Sequence, residues 1–123
     1  MKPFASDDLI RPAELNQKIR DDELPPVVVD VRPLEDYRES HIPGAANIPE
    51  GEILRSLKNL DQKRPVVTYC DMRHPGRSRS ESAARKLRKA GIQARALEGG
   101  LPAWEEAGFP VDRAEHFKRV GKV

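Results

Sequence analysis

Cys70 is the single cysteine of a 123-residue chain, and it is followed by Asp71, Met72, Arg73, His74, Pro75, Gly76, Arg77, Ser78 and Arg79. A thiol beside arginines, at the entry to a helix, is drawn toward thiolate, because amide hydrogens and the helix dipole favour the charged form. Thiolate is the nucleophile. The same cradle of N–H groups would receive an anion such as phosphate, arsenate or thiosulfate. Arg73, Arg77 and Arg79 each offer a fixed charge and a planar fork, and His74 offers a proton shuttle. Together these residues point to nucleophilic catalysis on an anion through a covalent cysteine intermediate. They place the sulfur at the open mouth of an anion-receptive pocket. The plain alternative is a small buried hydrophobe ending a strand. The Gly, Pro and Arg content of the loop favours the reactive reading.

The elements around Cys70 must position it. Pro65-Val66-Val67-Thr68-Tyr69 reads as a core strand with Cys70 at its carboxyl end. Ser78 and Glu81 have capping-box spacing, so a helix starts there, with Ala83, Ala84, Leu87 and Ala90 as its buried stripe and Gly91 as its stop. Val27 to Val31 is a β-branched run broken only by Asp30, the pattern of a strand buried on both faces. Asp30 reads as a buried carboxylate accepting backbone N–H bonds, or as the group that orients an arginine. Pro12 opens a helix whose partial apolar face is Ala13, Leu15 and Ile19. A short helix is expected over 32–37, a turn over 41–45, and a helix from about Glu50 to Leu60 on the strength of Ile53, Leu54 and Leu57. Ala94 to Leu97 reads as a short strand, and Gly99-Gly100 turns the chain into a last helix around Ala103-Trp104. His41 and Trp104 read as structural. Alternating strands and helices predict a parallel α/β sheet, in which ligands bind beyond the carboxyl ends of strands.

Composition bounds the rest. Hydrophobic residues are 37% and charged residues 34%, with mean hydropathy −0.70. One domain is expected over 1–123, its core at about 8–112 and a carboxyl-terminal extension at 113–123. No apolar run has bilayer length and the amino terminus lacks a signal-peptide core, so no membrane partner and a reducing cytoplasm are expected. One cysteine excludes an intrachain disulfide and a cysteine-cluster metal site. The net charge is +2, but the stretch from Asp71 to Arg95 holds eight positive and two negative residues, leaving −4 elsewhere. That segment is an anion attractor or the solvated face of a helix. Without interleaved aromatics, nucleic acid is not an expected partner.

The motifs, taken together and in order, resemble the rhodanese-like sulfurtransferase family. Val29-Asp30-Val31-Arg32 with Glu35-Asp36-Tyr37, then His41 to Pro49, then Tyr69-Cys70, Arg79-Ser80, Ala83-Ala84 and Leu87 carry the likeness. Leu97-Glu98-Gly99-Gly100, Ala103-Trp104 and Ala107 to Val111 complete it. The resemblance implies a doubly wound sheet of about five parallel strands with helices on both faces. It implies a Cys70 persulfide formed from a small anionic sulfur donor and passed to a thiol acceptor, small or on a protein, or to cyanide. No metal or organic cofactor is implied, and the default is a monomer, with a dimer left open. Asp71, Met72, Arg73, His74, Gly76, Arg77, Ser78 and Arg79 are the expected substrate-binding residues, with Arg32 as a further one that also suits a structural ion pair. The segment from Cys70 to Arg79 spans ten residues, longer than in short-loop members of the family. Phosphatase-like relatives and arsenate reductases place an arginine where Gly76 stands here. A cysteine phosphatase or arsenate reductase, or a non-catalytic module of the same fold, are the alternative functions.

Overall fold

The computed structural model describes residues 8–56, 64–71 and 78–113. The chain runs β1 (Leu9–Ile10), α1 (Pro12–Asp21), β2 (Val27–Asp30), α2 (Leu34–Glu39), β3 (Ala46–Asn47), a 3-10 turn (Glu50–Glu52), β4 (Val66–Tyr69), α3 (Arg79–Lys89), β5 (Ala94–Leu97) and α4 (Gly100–Glu106). The five strands form one sheet in the order β1-β5-β4-β2-β3, and every pairing is parallel. From β2 the chain proceeds to β3 on one side, then from β4 to β5 on the other. The crevice between the carboxyl ends of β2 and β4 is therefore the switch point at which such sheets take ligands.

Both sheet faces are buried, as the valine-rich strands require. Val29, Val66, Ala94 and Ala96 face Ala83, Ala84 and Leu87 of α3. Val28, Val67, Tyr69 and Leu97 face the other way, onto Leu15 of α1 and Leu101 and Trp104 of α4. The alternation along β4 decides which layer the cysteine meets: Val66 and Cys70 belong to the α3 layer, Val67 and Tyr69 to the opposite one. His41 is buried, stacks on Tyr37 at 3.8 Å and bonds its carbonyl through Nδ1 at 2.7 Å, and Trp104 donates Nε1–H to the Pro110 carbonyl at 2.7 Å. Both are structural, as expected.

Three expectations change. Residues 50–56 form the 3-10 turn and further turns instead of an α-helix. Ile53 is buried, whereas Leu54 is 51% exposed, so these two do not share a buried face. Gly51 also weakens a helix there, by about 1 kcal/mol. Leu57 to Leu60 lie outside the described residues. Ala90 is exposed because it is the C-cap of α3 and not part of its apolar stripe. Ala13 is also exposed, so α1 is anchored by Leu15.

Candidate active site

Cys70 follows directly on β4, and three bonds fix its place. The Leu101 N–H donates to the Cys70 carbonyl at 2.8 Å, tying the strand end to α4. Val31 N–H donates to the Tyr69 carbonyl at 3.0 Å, tying it to β2. Thr68, on the same strand face as Cys70, donates its hydroxyl to the Ser80 carbonyl at 2.7 Å. That last bond holds the first turn of α3 against the strand and brings the Ser80 hydroxyl to 3.5 Å from the Cys70 sulfur.

The helix start is built as its sequence requires. Ser78 is the N-cap: its Oγ accepts the Glu81 N–H at 3.1 Å, and the Glu81 carboxylate accepts the Ser78 N–H at 3.3 Å and the Ser78 hydroxyl at 3.0 Å. The Ser78 and Ser80 hydroxyls are 3.0 Å apart. Ser78, Ser80 and Glu81 are all buried. The first turn of the 11-residue α3 thus lies beside the Cys70 sulfur.

Of the expected site residues, Cys70, Ser78 and Arg79 meet at this helix start. Arg79 is half-exposed and pairs with Asp71 at 3.8 Å. Met72, Arg73, His74, Gly76 and Arg77 lie outside the described residues. Arg32 is held by Asp30 and Ser40. Its Nη2 donates to Asp30 Oδ2 at 2.7 Å and to the Ser40 carbonyl at 2.6 Å, its Nε donates to Asp30, and its backbone N–H donates to Asp30 Oδ1 at 2.9 Å. Burial works against the Arg32 charge, but the Asp30 carboxylate outweighs it and holds the guanidinium protonated above its ordinary value. Asp30 thus accepts a backbone N–H, as read from the sequence, and its carboxylate also holds the Arg32 side chain. Burial, with the Asp30 charge added, also pushes the Tyr69 phenol far above the usual tyrosine range. Tyr69 therefore stays neutral and accepts the Ile42 N–H at 3.0 Å.

The sulfur itself is fully buried. The sequence places it at an open mouth; the structure encloses it between β4 and α3. Ser80, Glu81 and Thr68 meet at the helix start beside the sulfur without being expected there as site residues; the sequence reads Glu81 as half of a capping box and Ser80 as part of a motif. Thr68-x-Cys70 was the available signal, since residues two apart share a strand face. Ser80 is the N2 residue of a helix that starts against that strand.

The arrangement provides a lone thiol at a sheet switch point, with the first turn of a helix and a hydroxyl beside it. Comparison with known proteins agrees. The sequence profile of the Rhodanese-like domain matches residues 11–107. The HTH-type transcriptional regulator Rv0324 of Mycobacterium tuberculosis is 40% identical over 106 residues, covering 86% of this chain and 45% of that protein. The thiosulfate sulfurtransferase GlpE of Shewanella oneidensis is 33% identical over 81 residues, covering 65% of this chain and 76% of that protein. The chain spans 34–57% of the length of the first curated relatives it matches. The crystal structure of the BH2092 protein from Bacillus halodurans superimposes with a TM-score of 0.78 at 30% identity, covering 88% of this chain and 78% of that one. Motif order, strand order and profile converge, and the chain belongs to the rhodanese-like domain family.

Proposed function

We propose that the protein is a sulfurtransferase that carries sulfane sulfur on Cys70. The observation that carries this reading is the placement of the Cys70 sulfur beside the first turn of α3, 3.5 Å from the Ser80 hydroxyl. The relative named thiosulfate sulfurtransferase supports it. In the first half-reaction the Cys70 thiolate attacks the outer sulfur of a donor such as thiosulfate. The bond between the two donor sulfurs breaks, sulfite leaves with the electron pair, and Cys70 becomes a persulfide anion. In the second, an acceptor thiolate or cyanide attacks the terminal sulfur and Cys70 leaves as thiolate. The positive end of α3 favours the anionic sulfur at each stage. The donor is a small anion and the acceptor a thiol. A reducing compartment suits a cysteine that must return to thiolate after each cycle.

Intact mass spectrometry after incubation with thiosulfate tests the reading. The expected result is a gain of one sulfur atom, removed by cyanide with release of thiocyanate, and absent in Cys70→Ser. No adduct and no thiocyanate from the folded wild type would sink it, and would also show that the buried sulfur is out of reach of the donor.

A second reading is a non-catalytic regulatory module, favoured by the 40% identity to a protein named as a transcriptional regulator. Unchanged function in a cell carrying Cys70→Ser separates it from the first.

A further inference from the structure

The hydroxyls between Cys70 and Glu81 form a continuous chain, and the chemistry of its ends sets its direction. An ionised carboxylate can only accept. The Ser78 hydroxyl, 3.0 Å from Glu81 Oε1, must therefore donate its one proton there. With that proton committed, Ser78 Oγ is an acceptor on its other sides. It accepts the Glu81 N–H at 3.1 Å and the Ser80 hydroxyl at 3.0 Å. The Ser80 proton then points away from the cysteine, so Ser80 presents a lone pair to the sulfur at 3.5 Å and accepts the thiol S–H. A carboxylate three bonds away thus determines that the hydroxyl facing Cys70 receives a proton instead of offering one. Since all the intervening groups are buried, water does not rescue a misdirected bond.

We propose that Glu81 is a positioning residue for Cys70: through the Ser78 and Ser80 hydroxyls its carboxylate fixes the direction of the hydrogen bond between Ser80 and the sulfur. This rests on the reading of Cys70 as the sulfur carrier and names a residue that governs when it becomes nucleophilic.

Several charged groups around α3, among the described residues, pair elsewhere. Arg79 pairs with Asp71, and Glu50 on the 3-10 turn pairs with Lys86. Arg95 of β5 points to the opposite sheet face and pairs with Glu14 of α1. Tyr69 of β4 also turns to that face, and beyond it lies the Asp30–Arg32 pair.

Glu81→Gln removes the charge while keeping the length and capping ability of the N3 side chain. Cys70 is the only cysteine, so thiolate ultraviolet absorbance against a Cys70→Ser blank reads its ionisation without requiring a reagent to reach it. Glu81→Gln is expected to lower the pH midpoint by about one unit, a tenfold gain in thiolate on the rising limb. Ser80→Ala, which leaves the capping box intact, is expected to lower it as well, because the thiol loses its acceptor. Adding Glu81→Gln in the Ser80→Ala background is expected to shift the midpoint by less than half as much. An unmoved midpoint in Glu81→Gln assigns the residue to capping alone and overturns the proposal. So does a full-sized shift in the Ser80→Ala background, which would mean plain charge repulsion. Should Glu81→Gln fail to fold, the sign in Ser80→Ala decides, since a hydroxyl that simply donates to thiolate gives a raised midpoint when removed. Cys70 that ionises in no variant before the fold is lost also overturns it. The titration uses no sulfur donor, so it fails or succeeds independently of the persulfide mass assay.

Discussion

Asp30 and Arg32 form a buried ion pair at a place that the sequence also offers for binding an anion. Arg32 lies near the crevice where an anion is expected, but its side chain is 6% exposed and already held by Asp30 and the Ser40 carbonyl. Breaking such a pair strands a buried charge, at a cost of about 3–5 kcal/mol. Arg32→Ala is therefore expected to lose about that much stability in urea unfolding, while the protein that remains folded keeps its thiosulfate KM. A raised KM with stability intact would return Arg32 to the substrate site. Two-residue spacing along an extended strand puts Asp30 and Arg32 on one side, so their pairing was legible. The Ser40 carbonyl was not, because it comes from the far end of α2. Ser80 was hidden for a related reason. Its hydroxyl matters only through a contact with a strand ten positions earlier, and no local pattern marks such a contact.

Among the elements, α3 was the most legible and the short strands the least. The capping box, the Ala83-Ala84-Leu87 stripe and the Gly91 stop are local signals, and each appears in the structure. β1 and β3 have two residues apiece and owe their existence to the neighbours they pair with, Ala96-Leu97 and Val29-Asp30. The Gly99-Gly100 turn is similarly legible in kind, but its tightness is not. Gly99 has φ 78°, and a Cβ there would stand 2.5 Å from the Ala103 Cβ. Gly108 has a comparable φ of 84°, but a Cβ there would meet nothing within 4 Å. Both alanine variants carry the left-handed penalty of about 1–2 kcal/mol, and Gly99→Ala adds a clash within the first turn of α4. Urea unfolding is expected to rank Gly99→Ala clearly below Gly108→Ala. Because Leu101 N–H holds the Cys70 carbonyl, Gly99→Ala is also expected to slow sulfur transfer, and Gly108→Ala is not. Equal losses in the two variants would mean that α4 shifts freely and does not anchor the strand end.

Across the whole molecule, the uneven charge of the sequence is answered by the fold. The basic stretch after Cys70 meets carboxylates from distant segments: Lys86 with Glu50, Arg88 with Asp8, Arg95 with Glu14. A surplus that looked like an anion attractor is partly a set of ties between α3, β5 and the rest of the domain. The Glu50–Lys86 tie is the one with a measurable pH signature. The Lys86 hydrogen bond holds the Glu50 carboxyl below the usual carboxylate range; burial opposes this, and the Ser82 hydroxyl adds to it. A carboxylate depressed in the folded state contributes its stability above its unfolded value, about 4.3 for Glu, and loses it as pH falls through the folded value. Lys86 is 40% exposed, so solvent screens the pair and its worth is at most about 1 kcal/mol. Glu50→Gln keeps the Ser82 bond and removes only the charge. Urea midpoints are expected to separate wild type from Glu50→Gln at pH 7, with the gap closing below the ordinary Glu range and narrowing in high salt. A gap that persists unchanged in acid would show that Glu50 holds the 3-10 turn against α3 by shape and hydrogen bonding, with its charge contributing nothing.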